Sequence, residues 1–175
     1  MKYMKIVATG KYLPSKKIEN KELASILQVT EQYIEKMTGI QTRYYIQEET
    51  IVQMAVNAAK DAIQKGNIAS NSIDLVIVSS TTNQYYMPGI SFFVQRECKL
   101  QNAKCLDISA GCSGFINAFD IARNEIALGK IQRALVVGVD ALSNVVDKND
   151  IGTAIVLSDG AGAVILEQTI EEKQY

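Results

Sequence analysis

The sequence predicts an α/β domain in which a mainly parallel five-stranded sheet, with one antiparallel strand, lies between helical layers. Runs rich in β-branched residues alternate with segments of helical periodicity, and this order requires crossover connections between parallel strands. The run from Ile73 to Val78 is almost continuously apolar, which is typical of a strand covered on both faces. Hydrophobic residues make up 47% of the 175 residues, and 11 glycines and 2 prolines leave little room for irregular tracts. This composition is that of a single packed domain over residues 1–175.

The first third of the chain predicts a strand, three helices and a short extended segment. The strand covers residues 5–10, and the extended segment covers residues 40–46. Asn20 and Thr30 are residue types favoured at helix N-caps, and apolar residues at helical spacing follow each of them. Thr50 precedes a longer helix with small and apolar residues on one face. We therefore expect helices to begin at these three positions.

The rest of the chain predicts the other strands and the helices that connect them. The strands are residues 72–79, 104–108, 133–139 and the last part of 152–166, and the helices pass through Phe92 and begin at Cys112. Within the last segment, the glycine-rich run 159–162 is expected to form a tight turn between two apolar runs. The Asp159 carboxylate would cap that turn. The run lacks the Lys and Ser or Thr of a phosphate-binding loop.

Charge and cysteine content argue against several classes of protein. The net charge is −1 and the basic residues are scattered, so no surface for nucleic acid or anionic lipid is predicted. Lysines interrupt the apolar residues near the amino terminus and no later segment has the length of a membrane span, so we expect a cytoplasmic protein. The 3 cysteines do not suit a disulfide scaffold or a zinc site. Cys98 and Cys105 are expected to be core residues, and no metal is expected.

Cys112 is the candidate nucleophile. It lies where a buried strand is expected to turn into a helix, and Gly111 and Gly114 flank it. A helix amino terminus presents backbone N–H groups and the positive end of the helix dipole, and both stabilise a thiolate. The glycines leave room for a tight turn and keep the sulfur accessible. The sequence therefore predicts a thiol placed to attack a carbonyl carbon.

Two other interpretations of Cys112 are open. A cysteine at the start of a helix can simply fill space in the core. The small residues two positions away, Ala110 and Gly114, also fit the elbow of a cysteine-dependent α/β-hydrolase. A thiol that attacks a carbonyl carbon needs a base to activate it, in the hydrolase as in the enzyme of the preceding paragraph. The chain contains 0 histidines. We therefore expect the base to come from outside these residues.

Five segments occur in the order found in one family of enzymes. They are residues 5–14, 38–43, 110–115, 136–138 and 158–163. Together they resemble the β-ketoacyl-acyl-carrier-protein synthase III branch of the thiolase-like condensing enzymes, over the whole chain. The resemblance implies a thiolase-like domain that is the amino-terminal half of a longer enzyme. The other half would carry the catalytic His and Asn, which accounts for the lack of histidine here.

The resemblance also implies a reaction. Cys112 would take an acyl group from an acyl-coenzyme A or acyl-carrier-protein thioester. Malonyl on an acyl carrier protein would then lose carbon dioxide and attack the acyl-enzyme, with the backbone N–H of Cys112 as one oxyanion donor. The acyl carrier protein is thus an expected partner, and no permanently bound cofactor is expected. The isolated chain is expected to be inactive.

Further site residues follow from the same resemblance. Met87 would reach across a two-fold homodimer into the acyl pocket of the other subunit, and Thr81 would line that pocket. Tyr33, Arg43 and Gly152 would bind coenzyme A. These roles are expectations that the resemblance carries over by position.

The chain departs from the family at two positions that often carry arginine. Met37 and Ile151 stand there, and neither side chain can pair with a phosphate. Lys36 or Arg43 would have to supply the charge. The sequence thus leaves open fatty acid synthesis, a specialised-metabolite ketosynthase with a primer other than acetyl-coenzyme A, and a non-catalytic thiolase-fold partner subunit.

Overall fold

The computed structural model describes residues 2–170. The strands are β1 (Tyr3–Tyr12), β2 (Lys16–Glu19), β3 (Thr42–Tyr45), β4 (Leu75–Ser79), β5 (Lys104–Ile108), β6 (Arg133–Ala141) and β7 (Asp159–Thr169). The α-helices are α1 (Asn20–Leu27), α2 (Glu31–Thr38), α3 (Ile51–Lys65), α4 (Ile90–Glu97), α5 (Gly114–Ala127) and α6 (Ile151–Ala154). Short 3₁₀ turns cover Ser70–Ser72, Gly111–Ser113 and Leu142–Asn144. Within residues 2–170, no helix has the length and apolar character needed to cross a membrane.

The central sheet has the strand order β1-β7-β6-β4-β5. β4 pairs in parallel with β5 and with β6, whereas β7 runs antiparallel between β6 and β1. The predicted mainly parallel sheet with one antiparallel strand is confirmed. All residues of β4 are buried, as expected of a continuous apolar run in the middle of a sheet.

Helices cover the sheet on both faces. α3 and α4 pack on one face, which we call the α3 face, and share an apolar cluster with residues of β4, β6 and β7. α5 packs on the opposite face, the α5 face, through Ala118, Ala122 and Ile126. This spacing of four residues places the three side chains on one stripe of the helix.

The start of α3 follows the prediction. The Thr50 hydroxyl accepts a hydrogen bond from the Gln53 N–H at 3.1 Å, and the Gln53 side chain accepts one from the Thr50 N–H at 2.8 Å. Gly10 lets this helix approach β1 closely, because a Cβ there would collide with backbone atoms of Ala58 and Ala62.

β1 changes its register with β7 between Ile6 and Ala8. Ile6 pairs with Leu166, which is buried on the α5 face, whereas Ala8 pairs with Ile165, which is buried on the α3 face. Both β1 residues have even numbers, so strict alternation would place them on one face. A β-bulge adds one residue to the strand and accounts for the change of face.

A smaller lobe lies beside the sheet. β2 and β3 form an antiparallel pair. Their side chains share an apolar cluster with α1, α2 and α6, in which Ile34 is fully buried. Thr30 caps α2 by accepting a hydrogen bond from the Tyr33 N–H at 3.1 Å, as predicted.

The prediction that Asn20 caps α1 is wrong. The N-cap residue is Glu19, which makes no side-chain capping bond, and Asn20 is the first helical residue. The Asn20 amide instead donates to the Ile40 carbonyl at 2.7 Å and accepts from Arg43 at 2.9 Å. The buried Arg43 guanidinium needs acceptors, and this tertiary requirement determines where the Asn20 side chain points.

The predicted turn at residues 159–162 is also wrong, because the glycine-rich run is the first part of strand β7. Gly160 pairs with Asp140, and Gly162 pairs with Gly138 on one side. Strands β1 and β6 flank this segment, so its backbone groups bond to neighbouring strands and need no turn.

Asp159 consequently caps other segments of the chain. Its carboxylate accepts hydrogen bonds from the Ile46 N–H and the Ser143 N–H, both at 2.8 Å, and from the Ser143 hydroxyl at 2.5 Å. The side chain is buried, and these contacts fix two loops against the start of β7.

Candidate active site

Cys112 lies in the connection between the carboxyl end of β5 and the start of α5. The predicted start of the helix at Cys112 is two residues early, since Cys112 is in the 3₁₀ turn Gly111–Ser113 and α5 begins at Gly114. The turn is closed by the Ser113 hydroxyl, which donates to the Ala110 carbonyl at 2.8 Å. The Cys112 side chain is exposed, which excludes the interpretation of a buried space-filling cysteine.

The connection 110–114, which we call the elbow, requires glycine at two positions. Gly111 has φ +56°, a left-handed conformation that residues with a Cβ rarely adopt. At Gly114 a Cβ would collide with the Ser79 hydroxyl at the end of β4. The start of α5 can therefore pack closely against the end of β4 while the Cys112 thiol stays accessible.

The thiol opens into a cavity of about 250 Å³ at the carboxyl edge of the parallel strands. The residues lining this cavity come from the ends of β4, β6 and β7 and from the elbow: Ser79, Gly111, Cys112, Phe115, Gly138, Val139, Asp140, Ser158 and Gly160. The carboxyl edge is where open α/β sheets bind ligands. Gly138 on β6 and Gly160 on β7 leave their parts of the cavity wall without side chains.

The three cysteines have different environments. Cys98 is buried as predicted, and this desolvation raises the pKa of its thiol to about 11. Cys105 is only half-buried, so its prediction as a core residue holds in part, and burial followed by the Asp107 charge raises its pKa. Of these thiols, the exposed Cys112 is the one that a substrate can reach.

Thr81 lies just after β4, where one carboxylate fixes it. The Thr81 N–H and hydroxyl donate to Oδ1 of Asp140 at 2.7 and 2.8 Å. Sequence reasoning missed Asp140. Its position directly after the apolar residues of β6 was the available signal, because polar residues at the carboxyl end of a parallel strand face the ligand-binding edge.

Met87 projects from the loop between β4 and α4, and its side chain is 83% exposed. The end of this loop is held near β5, where the Asp107 carboxylate accepts hydrogen bonds from the N–H and the hydroxyl of Ser91. Gly89 packs against the same carboxylate, with no space for a Cβ. The loop thus begins after β4, whose last residue Ser79 lines the Cys112 cavity, and ends near β5, the strand that precedes Cys112.

The residues expected to bind coenzyme A have different positions. Tyr33 on α2 is partly exposed. Gly152 lies on α6, and the N–H of Gly152 donates to the Asp150 carboxylate at 3.3 Å. The two helices meet in the cluster that contains Ile34. Met37 is exposed beside them, so the structure brings these positions together on one lobe.

Arg43 is the exception among these residues. Its side chain is 1% exposed, and its guanidinium donates to the Ile155 carbonyl and to Asn20. Burial lowers its pKa, but the group keeps these acceptors inside the protein. The structure therefore contradicts the expected contact between Arg43 and a phosphate, and assigns Arg43 to joining β3 with the end of α6.

No cluster of metal ligands accompanies this site. Residues 2–170 contain no group of three or more His, Cys, Asp or Glu side chains that could hold a metal ion. The arrangement provides an exposed sulfur, backbone N–H groups at the first turn of a helix, and a cavity whose wall is formed in part by glycines of β6 and β7. These features suit covalent transfer of an acyl group.

Known proteins share both the sequence and the fold. The family model for 3-oxoacyl-[acyl-carrier-protein (ACP)] synthase III matches residues 106–175. The curated β-ketoacyl-[acyl-carrier-protein] synthase III of Clostridium botulinum (strain 657 / Type Ba4) is 40% identical over 172 residues, which are 98% of this chain and 53% of that protein. Its counterpart from Aquifex aeolicus (strain VF5) is 40% identical over 165 residues, which are 94% of this chain and 53% of that protein.

Solved structures agree with these relatives. The crystal structure of 3-oxoacyl-[acyl-carrier-protein] synthase III from Aquifex aeolicus VF5 superposes with a TM-score of 0.93 and 39% identity, over 96% of this chain and 55% of that one. The priming β-ketosynthase of the R1128 polyketide pathway superposes with a TM-score of 0.92 and 33% identity, over 95% of this chain and 50% of that one.

The sheet topology and these superpositions define a domain of the thiolase-like condensing-enzyme class. The chain spans about half the length of the curated relatives it matches. Within the class it belongs to the β-ketoacyl-[acyl-carrier-protein] synthase III family, as the resemblance of its five sequence segments predicts.

Proposed function

We propose that this chain is the nucleophile-bearing half of a decarboxylative condensing enzyme, an acyltransferase of the β-ketoacyl-acyl-carrier-protein synthase III type. The observation that carries the proposal is the exposed Cys112 thiol at the elbow between β5 and α5, open to a cavity at the carboxyl edge of the sheet. The named relatives are all synthases of this type, which supports the same reaction class.

The first step is transfer of an acyl group. The Cys112 thiolate attacks the carbonyl carbon of an acyl thioester, a new C–S bond forms, and the carrier thiolate leaves and takes up a proton. The backbone N–H of Cys112 is our candidate donor to the oxyanion formed in this step.

The second step is condensation. Malonyl on an acyl carrier protein loses carbon dioxide, and the electron pair of the broken C–C bond forms an enolate. The enolate carbon attacks the acyl carbon, and the C–S bond to Cys112 breaks to restore the thiolate. The product is a β-ketoacyl thioester on the carrier protein.

A second half has to supply the groups that this chain lacks. The sequence contains 0 histidines, so the His proposed to stabilise the enolate comes from another domain, and the family resemblance assigns the Asn to the same domain. The α5 face offers a surface for that domain, because Ile116 and Leu128 on and just after α5 are exposed apolar residues. Inactivity of the isolated chain follows from this proposal and stays a prediction.

The enzyme is proposed to be a homodimer in which Met87 reaches the acyl pocket of the other subunit, next to its Thr81. Two features support this. β5 is an edge strand of the sheet, and edge strands can pair with a second chain. The exposed Met87 lies on a loop that ends beside β5. A flexible thioether at this position would make the pocket wall adaptable.

Coenzyme A and the acyl carrier protein are proposed as the carriers of the substrates. Tyr33 can stack on a base, and Gly152 on the neighbouring helix α6 permits close approach. With Arg43 buried, Lys36 is left as the candidate among the named cations to meet a phosphate. The cytoplasmic location stays a prediction.

Mass spectrometry of the acylated protein tests the proposal. The assembled enzyme, with a second half that supplies His and Asn, is incubated with acyl-coenzyme A and digested. We expect acyl mass on the peptide that contains Cys112. Cys112→Ala should abolish the adduct, and the matched variant Cys98→Ala should keep it. An unmodified Cys112 would contradict the proposal and would favour the non-catalytic partner subunit.

A second candidate is a ketosynthase of specialised metabolism. It is favoured by two observations: Met37 and Ile151 remove charges often used for coenzyme A, and the R1128 priming β-ketosynthase is 33% identical. Competition between acetyl-coenzyme A and longer acyl thioesters distinguishes the two functions. Acylation mainly by acetyl-coenzyme A supports fatty acid synthesis, whereas preference for a longer primer supports the second candidate.

A further inference from the structure

Asp140 stands at the carboxyl end of β6, in the wall of the Cys112 cavity. Gly138, two residues earlier in the strand, lies against Phe115 of α5. Alternate residues of a strand point to the same face, so the Asp140 side chain lies on the α5 face, where the cavity opens. Its cross-strand partner, Gly160, lines the same cavity.

Oδ1 of Asp140 gathers the donors of segment 80–82, which directly follows β4. Thr81 donates its N–H at 2.7 Å and its hydroxyl at 2.8 Å. Thr82 donates its N–H at 3.1 Å and its hydroxyl at 3.0 Å, and the Ser80 hydroxyl is at 3.4 Å. An ionised carboxylate accepts and does not donate, so it suits this convergence of N–H and O–H groups.

Thr82 adds a second connection to the same strand. Its hydroxyl accepts a hydrogen bond from the Ala141 N–H at 2.8 Å, and therefore its own proton points to Asp140. Two consecutive residues of β6 thus hold the backbone and side chains of the segment. Ser79, immediately before it, lines the cavity.

We infer that Asp140 is a positioning residue that sets the shape of the acyl pocket by fixing Thr81 and Thr82 beside the Cys112 cavity. This inference rests on the proposed function and adds to it a determinant of acyl-group selectivity. Asp140 acts through Thr81 and not on the reacting atoms. Its loss should therefore change which acyl groups are accepted and leave the thiol itself reactive.

The test compares Asp140→Ala and Asp140→Asn in the assembled enzyme. The readouts are kcat and KM with acetyl, butyryl and hexanoyl thioesters, and the rate of Cys112 alkylation by iodoacetamide. Asp61→Ala is the matched control, because the Asp61 carboxylate also accepts a backbone N–H, that of Lys11 at 2.9 Å, but lies on α3. Equal melting temperatures establish that the variants are folded.

For Asp140→Ala, we expect KM for the preferred thioester to rise about tenfold and the preference among the three thioesters to weaken, since small displacements in a site have large effects. Asp140→Asn should recover most of the preference, and the alkylation rate should not change. A folded Asp140→Ala with unchanged preference would overturn the inference, as would a loss of alkylation as large as the loss of turnover.

Two further results also decide between support and rejection of this inference. If Asp140→Ala does not fold, a cycle of Asp140→Asn and Thr81→Ala replaces it: non-additive effects on KM support the inference, and additive effects overturn it. If the wild-type enzyme takes up no acyl group, the proposed function and this inference both fail. Wild-type acylation with unchanged Asp140 variants overturns the inference alone.

Discussion

The two faces of the central sheet differ in how completely they are covered. Among residues 2–170, the cluster on the α3 face contains 21 buried residues and the cluster on the α5 face contains 9, so most of the apolar core of the sheet lies under α3 and α4. On the α5 face, Ile6 and Leu106 remain exposed on the strands, and Leu128, just beyond α5, is 68% exposed. The α3 face thus carries the larger packed core, whereas the α5 face keeps exposed apolar side chains, which under the proposed function would pack against a second half.

The difference also separates stability from function. The α3 face holds buried aliphatic residues and Cys98, while the helix on the α5 face begins next to the Cys112 elbow. The proposed nucleophile thus lies on the less completely covered side. This arrangement fits a site that is completed when a second half packs there.

The largest expected effect is on the α3 face. Met54 is fully buried, and Met54→Ala should lower the free energy of unfolding by about 2–5 kcal/mol, because it removes transfer free energy and leaves a cavity. Urea unfolding followed by circular dichroism measures it. A loss below about 1 kcal/mol would mean that the α3 face is not the main source of stability.

Cysteine reactivity should also differ between the two faces. Because burial raises the pKa of Cys98 from 9.0 to about 11, its thiolate fraction at pH 8 is about one hundredth of the ordinary value. Iodoacetamide should modify Cys112 far faster than Cys98, and the Cys98 rate should rise about tenfold per pH unit up to about pH 11. Equal rates in peptide mapping would contradict it.

The raised pKa of Cys98 also makes the stability of the folded chain depend on pH. Between pH 9 and about pH 11 the folded chain holds the Cys98 proton and the unfolded chain releases it, so stability falls as pH rises through that window. Cys98→Ala should reduce this fall relative to the wild type.

Glycine substitutions give an intermediate effect. Gly10→Ala should destabilise the chain by about 1–3 kcal/mol, because the new Cβ meets backbone atoms of Ala58 and Ala62 on the α3 face. Gly114→Ala should cost less, since its Cβ meets the Ser79 hydroxyl, which can rotate. Thermal unfolding of the two variants compares them. The reverse order would show that the elbow is the more rigid of the two contacts.

The smallest effect is expected on the exposed part of the α5 face. Leu128→Ala should change the free energy of unfolding of the isolated chain by no more than about 0.5 kcal/mol. It should weaken binding to a second half, measured by titration calorimetry. A large loss of stability in the isolated chain would show that this surface is already part of the core.

Local patterns predicted the parts of the fold that depend on local physics. The apolar run of β4 predicted a central strand because both its faces are covered. Thr50 followed by apolar residues at helical spacing predicted the start of α3, and the capping bonds to Gln53, three residues away, are local too. Gly111 and Gly114 marked the elbow because their backbone and packing requirements exclude a Cβ.

Contacts between distant residues were not predictable in this way. Arg43 looked like a surface cation, but its acceptors are Asn20 and the Ile155 carbonyl, 112 residues away. The role of Asp140 was not predictable for the same reason, since the groups that donate to it lie about 60 residues earlier in the chain. The glycine-rich run of β7 predicted a turn because glycine is common in turns. Its pairing with β1 and β6, which are distant in the chain, makes it a strand instead.

The bulge in β1 determines which changes of length the strand tolerates. It provides one additional residue at Val7, so Ala8 and Gly10 face α3 while Ile6 faces α5. Deleting Val7 would restore strict alternation and leave these orientations unchanged. Deleting Thr9 would instead turn Gly10 away from α3 and bring Lys11 against the helix. A deletion is therefore expected to be tolerated at the bulge and not two residues beyond it.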